Sequence, residues 1–406
     1  MTRNLDFPRH ATKFARSTHK MVAILVVVAL FFGAGSFAAA LWIDINYGFN
    51  SMNTSLMGED RPPVDPNAGN AMNILVLGVD SRGTQEDLDL SSDGYAEDAA
   101  GARSDTSILI HISSDRQRVE MVSIPRDSMV PIPDCQTSKG QAPGQTIAMF
   151  NSAFANAYDQ GGDLESGASC AAKTVEYNTQ VHIDGFMVAD FAAFKNMVDA
   201  LNGIKICIPE HVDAWNVGGL VLEKGMQNLN GRDATEYARA REGIGLGDGS
   251  DIDRIKRQQQ VIGAIANKAM QEMDFSHIPE LYRLIRGATH SMTSTLSIQD
   301  YAGLAFSIRN INMSNVMFYT VPWTSYAPDP NRIQWTDKAN EIWNRFIHDI
   351  PLIKPVAPIP SSTPNPTSTP TSTPTPASSP SSGSGDITSL DDLQHQNAKD
   401  DYVCGK

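Results

Sequence analysis

Residues 74–80 read ILVLGVD, an unbroken apolar run that ends at the carboxylate of Asp80. A run of this length and composition is typical of a strand that is buried on both faces of a sheet. Three further short runs, mostly apolar, lie at residues 106–112, 119–124 and 204–208 and are also predicted to be strands. Helical patterns are interleaved with them or follow them, at residues 186–201, 234–237 and 252–273. The alternation of strands and helices predicts a layered α/β domain.

Charged side chains lie at the ends of these predicted strands, where the solvation of an ordinary surface does not require them. They are Asp80 after the first strand, Arg103 and Asp105 before the second, and Arg126 and Asp127 after the third. In sheets flanked by helices, binding sites collect at strand ends. These positions are therefore candidate site residues.

The sequence YARAR at residues 237–241 places two guanidinium groups close together. In an extended backbone, alternate side chains point to the same side, so Arg239 and Arg241 would face one site. Arginine forks bind phosphate oxygens in pairs, and carboxylates bind a hard divalent cation that bridges such oxygens. Several arginines with two or three carboxylates fit a diphosphate, whereas ordinary ion pairs at strand ends would use the same residue types.

A glycine-rich loop at residues 243–250 leads into the sequence DIDRIKRQ. We expect a helix that begins near Asp251 and is capped by its side chain, with Arg254 and Arg257 one turn apart. A surface turn or a calcium-binding loop would also fit residues 245–253, although the full EF-hand pattern is missing. The chain has no P-loop, GxSxG or HExxH motif, so nucleotide hydrolysis, serine hydrolysis and zinc proteolysis have no support.

The N-terminal part of the chain differs from the rest in charge and hydropathy. Residues 1–20 carry five basic side chains against Asp6, a net charge of +4, and the whole chain carries −14, so the remainder carries −18. Residues 21–43 form an uncharged run, long enough to span a hydrocarbon core of ~30 Å as a helix. Since basic residues flank the cytoplasmic side of a span, we expect residues 1–20 inside and the rest outside. A cleavable signal peptide is the alternative, and it would export the same body.

Beyond this span, three regions are predicted from composition. They are a polar stalk at residues 44–70, a folded body at residues 71–349 and a tail at residues 350–406. Within the tail, residues 355–385 are almost wholly Pro, Ser, Thr and Gly. Such a composition cannot bury enough surface to fold, so we expect the tail to be disordered.

The chain contains four cysteines, Cys135, Cys170, Cys207 and Cys404. On the exported side of a membrane, thiols are commonly oxidised to disulfides. Three pairings are possible, and the sequence does not choose among them. Cys404 lies in the acidic C-terminal stretch, which a disulfide would attach to the body or to a partner. No CxxC pair or His/Cys cluster has the spacing of a zinc site.

Six segments, in this order, resemble the LytR-CpsA-Psr family of bacterial envelope proteins: NILVLGVDSR, ARSDTSILI, VSIPRDS, FNSAFANAY, LNGRDATEYARAR and DIDRIKRQQ. They cover about residues 71–273, and their common order makes the match specific. The resemblance implies a central mixed β-sheet flanked by helices on both faces, preceded by one transmembrane helix. It also implies a deep apolar pocket for a polyprenyl chain, with a polar mouth for its pyrophosphate.

The resemblance further implies roles for individual residues. Asp80 and Asp105 correspond to magnesium-associated aspartates, so Mg²⁺ is the expected cofactor. The other expected catalytic residues, which contact the pyrophosphate, are Arg103, Arg126, Arg239 and Arg241. The expected substrate-binding residues are Arg254, Asp251 and Gln258, with Arg82 and Arg257 as further candidates. The chain departs from shorter family members in the loop at residues 242–250 and in its tail.

In function, the resemblance implies a membrane-anchored phosphotransferase that moves a glycopolymer from a polyprenyl (undecaprenyl or decaprenyl) pyrophosphate carrier to peptidoglycan. As the bond to the transferred phosphoryl group breaks, the leaving phosphate of the pyrophosphate develops negative charge, which fixed guanidiniums and Mg²⁺ would stabilise. The alternatives are a polyprenyl pyrophosphate pyrophosphatase and a non-catalytic lipid-binding or regulatory envelope protein. Nucleic acid is not an expected partner, because the body is acidic and 20 residues cannot hold a helix-turn-helix.

The charge asymmetry of the N-terminal part predicts the topology of the chain. A reporter enzyme that is active only outside the cytoplasm should be active when it is fused after Asp349, because the basic residues hold the N-terminus inside. A second reporter that is active only in the cytoplasm, fused at the same position, is the matched control and should be silent. The reverse pair of activities would contradict the assignment.

Overall fold

In the computed structural model, the described residues are 56, 69–80, 102–215, 218–272, 292–353, 395–397 and 404. They belong to a compact unit that runs from Met52 to Lys406. The predicted span at residues 21–43 and the candidate Arg82 lie outside the described residues. Within the described residues, no helix combines the length and the hydropathy that a membrane crossing requires.

A mixed sheet of seven described strands lies at the centre of this unit. Its strands, in spatial order, are β13 (Met292–Ser294), β8 (Gly185–Ala189), β1 (Met72–Asp80), β2 (Arg103–Ile112), β3 (Val119–Ser123), β14 (Val316–Thr320) and β17 (His395–Asn397). The pairs β1–β8 and β3–β14 are parallel, and the other neighbours are antiparallel. The predicted α/β class and the mixed central sheet are confirmed.

The first face of this sheet is covered by three helices. They are α1 (Phe150–Gly161), α2 (Leu164–Thr179) and α7 (Asp337–Ile347). Leu75 and Leu77 of β1 are fully buried against them, whereas Ile74 is buried on the opposite face. Because side chains alternate along a strand, a strand with both faces buried appears in the sequence as an unbroken apolar run.

The second face of the sheet is covered in part by α5 (Asp251–Glu272) and α6 (Ile298–Ile308). A separate apolar cluster joins α5 to α3 (Phe191–Ala200), to α4 (Gly231–Arg239) and to four short strands. These strands are β9 (Ile204–Ile208), β10 (Val212–Ala214), β11 (Leu220–Leu222) and β12 (Gly225–Leu229). The predicted strand at residues 204–208 is present, but it pairs with β12 outside the central sheet.

Three hairpin-like pairs complete the described strands. They are β4 (Met129–Ile132) with β7 (Gln145–Met149), β5 (Cys135–Thr137) with β6 (Gly140–Ala142), and β15 (Trp323–Tyr326) with β16 (Asp329–Trp335). A β-bridge between Ser128 and Ile333 attaches β16 to the segment that follows β3. This attachment brings a C-terminal hairpin close to the predicted site residues.

Two disulfides join the four cysteines. Cys135 of β5 is bonded to Cys170 of α2, and Cys207 of β9 is bonded to Cys404. Of the three possible pairings, the structure selects this one, and it attaches Cys404 to the body. In the same C-terminal segment, β17 extends the central sheet beside β14. We expected the tail to be disordered from its composition. Two of its parts are held in place by contacts with the body: β17 pairs with the edge strand β14, and Cys404 is bonded to Cys207.

Cleavage of the tail tests the second disulfide. A specific protease site inserted between Ser381 and Ser382 should be cut without loss of the C-terminal piece on a denaturing gel, because the Cys207–Cys404 bond holds it. The piece should separate after reduction. A Cys404→Ser variant is the matched control and should lose the piece without reductant. Separation of the cut wild-type chain before reduction would contradict the pairing.

Candidate functional site

An apolar pocket with a volume of about 500 Å³ lies between the second face of the sheet and helices α3, α4 and α5. Its floor is formed by strand residues of the same sheet face: Val76, Ile108, Ile110, Met121 and Met187. The register places Val76 opposite both Ile108 and Met187. Because side chains alternate between the two faces, the neighbouring residues of each strand point to the core behind the sheet.

The opposite wall of the pocket is helical. It is formed by Phe194 and Met197 of α3, Ala238 of α4, and Ile262 and Ile265 of α5. Ile262 and Ile265 are three residues apart, so they share one face of the helix. The contribution of α3 was not predicted, because an apolar helix face gives no sign of whether it meets a core or a cavity. The pocket that the resemblance implied is therefore present between sheet and helices.

The pocket becomes polar at one end. Five of the predicted site residues line it there: Asp105, Arg239, Arg241, Arg254 and Gln258. They come from β2, from α4 and the residues that follow it, and from α5. The fold thus brings together side chains that the sequence separates by long distances.

Ion pairs connect Arg126 and Asp251 to this polar end. Arg126 Nη1 donates to Asp105 Oδ1 at 2.8 Å, and Arg126 Nε lies 3.8 Å from Asp251 Oδ1. Arg254 pairs with Asp251 and donates to the carbonyl oxygen of Asp105 at 3.2 Å. Arg241 Nη2 lies 3.9 Å from Asp251 Oδ1. We call the five residues in these ion pairs the Arg/Asp cluster: Asp105, Arg126, Arg241, Asp251 and Arg254.

Burial changes the protonation equilibria of the Arg/Asp cluster. Arg254 is only 3% exposed, and desolvation lowers the pKa of its guanidinium despite the nearby Asp251. Desolvation likewise raises the pKa of the Asp251 carboxyl, against the opposing effect of the neighbouring arginines. Burial also acts to lower the pKa of Arg126, but the nearby carboxylates, Asp105 foremost, outweigh it and the pKa is raised.

Several buried polar atoms of the cluster have no hydrogen-bond partner among the described residues. They are both carboxylate oxygens of Asp251, Nε of Arg126 and Nε of Arg254. Two of these atoms have ion-pair contacts instead: Oδ1 of Asp251 with Arg254, and Nε of Arg126 with Asp127 at 3.5 Å. Leaving a buried donor or acceptor unpaired costs about 1–3 kcal/mol, so Oδ2 of Asp251 and Nε of Arg254 favour a polar ligand. Guanidinium donors fit phosphate oxygens, and carboxylate oxygens fit a divalent cation. The chemistry of the cluster therefore fits a diphosphate with its cation.

The two aspartates predicted to hold Mg²⁺ are described to different extents. Asp105 is engaged by Arg126, whereas the side chain of Asp80 lies outside the described residues. In the part of the chain that the structure describes, no group of three His, Cys, Asp or Glu side chains is arranged to hold a metal. Mg²⁺ commonly takes one or two carboxylates and completes its shell with water and substrate phosphates. The described carboxylates fit that mode of binding and not an all-protein cage.

Arg103 stands apart from the Arg/Asp cluster. Its backbone pairs with that of Asp80 where β1 and β2 meet, beyond a register shift at Gly78 and Val79. Its side chain is exposed, and it forms no ion pair with the cluster among the described residues. Arg103 therefore lies at the same end of β2 as Asp105, but it takes no part in the described ion pairs of the cluster.

The prediction that Arg239 and Arg241 share an extended segment was wrong. The helix α4 ends at Arg239, so the two residues lie on either side of a helix end. The guanidinium of Arg239 lies 4.1 Å from the centre of the Phe191 ring, a distance typical of a cation–π contact. Both arginines nevertheless line the pocket.

The prediction that Asp251 caps α5 was also wrong. The amide of Asp253 donates to Oγ of Ser250 at 3.3 Å, so Ser250 provides the cap. Asp251 is the first residue of the helix, and its carboxylate pairs with Arg254 one turn later. A serine cap leaves the carboxylate available to the cluster.

Arg257, a further candidate for phosphate binding, has a structural role. It is 7% exposed, and its guanidinium donates to the carbonyl oxygens of Tyr237, Ala240 and Leu246. These contacts attach the C-terminal end of α4 and the glycine-rich loop to α5. Arg257 therefore holds in place the backbone that carries Arg239 and Arg241.

Some residues that shape the site were missed in the sequence. Arg332 of β16 donates to Asp127 at 2.8 Å, and Asp127, noted only as a strand-end residue, lies 3.5 Å from Arg126. Gln259 is buried, and its Nε2 donates to Ser123 Oγ at 2.9 Å, which fastens α5 to the sheet. The position of Gln259 beside the matched Gln258 was an available signal, whereas Arg332 lies outside every matched segment.

Comparison with known proteins agrees with the fold and with the matched segments. A model of the LytR_cpsA_psr family matches residues 41–346. The chain is 26% identical over 306 residues to the polyisoprenyl-teichoic acid–peptidoglycan teichoic acid transferase TagT of Bacillus subtilis, which covers 73% of this chain and 82% of TagT. It is 28% identical over 319 residues to the cell wall biosynthesis protein LcpA of Corynebacterium glutamicum, which covers 75% of this chain and 60% of LcpA.

A solved structure of TagT bound to LIIa-WTA is similar to this chain in fold. The TM-score is 0.53 and the sequence identity is 24%, and the match covers 73% of this chain and 99% of the other. At this identity the likeness shows the fold alone. It agrees with the mixed central sheet and its helices.

Replacement of Arg257 tests its structural role. Arg257→Met should lower the free energy of unfolding by about 3 kcal/mol or more, because buried carbonyl oxygens lose their donor. Lys256→Met on the exposed side of the same helix is the matched control and should change it by less than about 0.5 kcal/mol. Urea unfolding of both variants measures the difference. Equal stability of the two variants would show that Arg257 does not hold the loop.

Proposed function

Because this chain belongs to the LytR_cpsA_psr family, we propose that it is a membrane-anchored phosphotransferase that moves a glycopolymer from a polyprenyl pyrophosphate carrier to peptidoglycan. Its relatives support this class of activity, since TagT is named as a transferase of teichoic acid to peptidoglycan and LcpA as a cell wall biosynthesis protein. The membrane anchor in this proposal is the apolar run at residues 21–43, with residues 1–20 in the cytoplasm.

One observation carries the proposal: a single cavity has an apolar body and a cationic end. Ile110 and Ile262 line the same cavity as Arg241 and Arg254. A polyprenyl chain is hydrocarbon, and its burial contributes about 0.8 kcal/mol per CH₂ group, so it suits the apolar body. A diphosphate suits the arginines, whose forks bind its oxygens in pairs. A polyprenyl diphosphate therefore matches both ends of the cavity with one ligand.

The residues of the Arg/Asp cluster would act on the charge of the reaction. Transfer to an acceptor hydroxyl breaks the bond between the two phosphates, and negative charge develops on the phosphate that stays with the lipid. Arg126, Arg241 and Arg254 are fixed by their carboxylate partners, so they can stabilise that charge without reorganising. A Mg²⁺ ion held by Asp80 and Asp105 would supply further neutralisation of the phosphate oxygens.

The same chemistry accounts for the lack of a histidine in the matched segments around the site. Phosphoryl transfer passes through a loose transition state, in which the attacking hydroxyl needs little help from a general base. Positioning of the donor and neutralisation of its charge then provide most of the rate acceleration. Both are tasks for which buried arginines with fixed partners are suited.

Replacement of Arg126 of the cluster and of Arg239, which lines the same pocket, tests the proposed function. Arg126→Ala and Arg239→Ala should each slow the transfer of a labelled saccharide from a polyprenyl diphosphate donor to purified peptidoglycan by roughly tenfold or more, because a charge-assisted contact worth ~1.5–3 kcal/mol is lost. Lysine at either position should restore little activity, since it cannot form a planar two-pronged contact. Initial rates of the full chain in detergent measure the effect.

The control for these variants is Arg232, which lies on the same helix as Arg239 but has an exposed side chain that pairs with the buried Glu236 outside the pocket. Arg232→Ala should leave the rate within about twofold of wild type. Full transfer by folded Arg126→Ala and Arg239→Ala variants would show that these charges are structural, and the proposal would fail. Release of the labelled saccharide phosphate into water, without any transfer, would instead assign a pyrophosphatase activity.

A further inference from the structure

The side chain of Asp127 is shared by two arginines. Arg332 Nη1 donates to Asp127 Oδ1 at 2.8 Å, and the other carboxylate oxygen lies 3.5 Å from Nε of Arg126. The backbone supports the same arrangement, because the amide of Ile333 donates to the carbonyl oxygen of Asp127 at 3.3 Å. The β15–β16 hairpin therefore places the guanidinium of Arg332 beside Asp127, the residue that follows Arg126 in the chain.

Arg126 has three carboxylates around its guanidinium. Asp105 lies at 2.8 Å, Asp127 at 3.5 Å and Asp251 at 3.8 Å. Because the attraction of two charges grows as their distance falls, the closest carboxylate sets the direction of the guanidinium. That carboxylate is Asp105, which lines the pocket, and not Asp127, which does not. Asp127 has its closer cation in Arg332.

Arg332 also sets the balance of charge in the ion-paired group. With Arg332, Asp127 and Asp329 added, the last of which lies 3.7 Å from Arg332, the ion-paired group contains four arginines and four aspartates, a formal charge of zero. Without Arg332, the same group has a formal charge of −1. Asp127 would then have Arg126 as its only cation among the described ion pairs.

We infer that Arg332 is a positioning residue of the diphosphate site: it occupies Asp127, so that Arg126 stays on Asp105 and is directed to the ligand. This inference rests on the proposed function and adds a residue outside the matched segments to it. In the absence of Arg332, Asp127 draws Arg126 away from the pocket. Arg332 acts through Asp127 and need not touch the ligand.

Binding of geranylgeranyl diphosphate with Mg²⁺ to the full chain in detergent, followed by calorimetry, tests this role. Arg332→Gln should weaken binding by roughly tenfold, the effect of one lost charge-assisted contact. Arg332→Lys should stay within about threefold of wild type, because a single contact to Asp127 needs only the charge. The double variant Arg332→Gln with Asp127→Asn should recover to within about threefold, since the competing carboxylate is also gone.

Lys256→Gln is the control for net charge, because it removes a cation that pairs with Asp253 and not with the cluster. It should bind as wild type does. Wild-type affinity in Arg332→Gln, or failure of the double variant to recover, would overturn the inference and leave the proposed function intact. If the wild-type chain binds no geranylgeranyl diphosphate at all, the proposed function fails and the inference fails with it.

Discussion

Burial of charge is the constraint on which the rest of the site depends. Arg254 sits in the first turn of α5 with 3% of its surface exposed, and a guanidinium so placed must have anionic partners. Asp251 and Asp105 provide them, which fixes the start of α5 against β2. Arg257, one turn later in α5, is also buried, and its guanidinium donates to backbone carbonyl oxygens instead. These hydrogen bonds fix α4 to α5. The helical wall of the pocket is thus held by charge at one end and by apolar packing along its length.

The unequal covering of the two sheet faces explains why a pocket exists. Three helices close the first face, whereas on the second face α5 and α6 leave the side chains of Val76, Ile110 and Met187 in contact with a cavity. Met121, Met187 and Met197 all line this cavity. Methionine is flexible and polarisable, so it adapts to irregular shapes better than branched side chains do. Such a lining suits a long and flexible hydrocarbon.

Several parts of the fold and the site could be predicted because their signals are local. The strand runs and the charges at their ends identified Asp105 and Arg126, and the predicted helix after the glycine-rich loop identified Arg254. The resemblance added Gln258. Other features depend on contacts between distant segments, which no local period encodes. Three features are of this kind: the disulfide partner of Cys404, the pairing of β17 with β14, and the contact of Arg332 with Asp127. The cap of α5 was missed because Ser250 and Asp251 are both good capping residues, and only the backbone geometry distinguishes them.

The most direct test of the central claim is a series of affinities for ligands that differ at one end only. Inorganic pyrophosphate, prenyl diphosphates of increasing chain length and the matching prenyl alcohols should be titrated against the full chain with Mg²⁺. If one cavity binds both ends of a polyprenyl diphosphate, affinity should rise with chain length until the apolar body is filled, and it should fall sharply for the alcohols. Affinity that does not depend on chain length, or alcohols that bind as tightly as diphosphates, would contradict the claim.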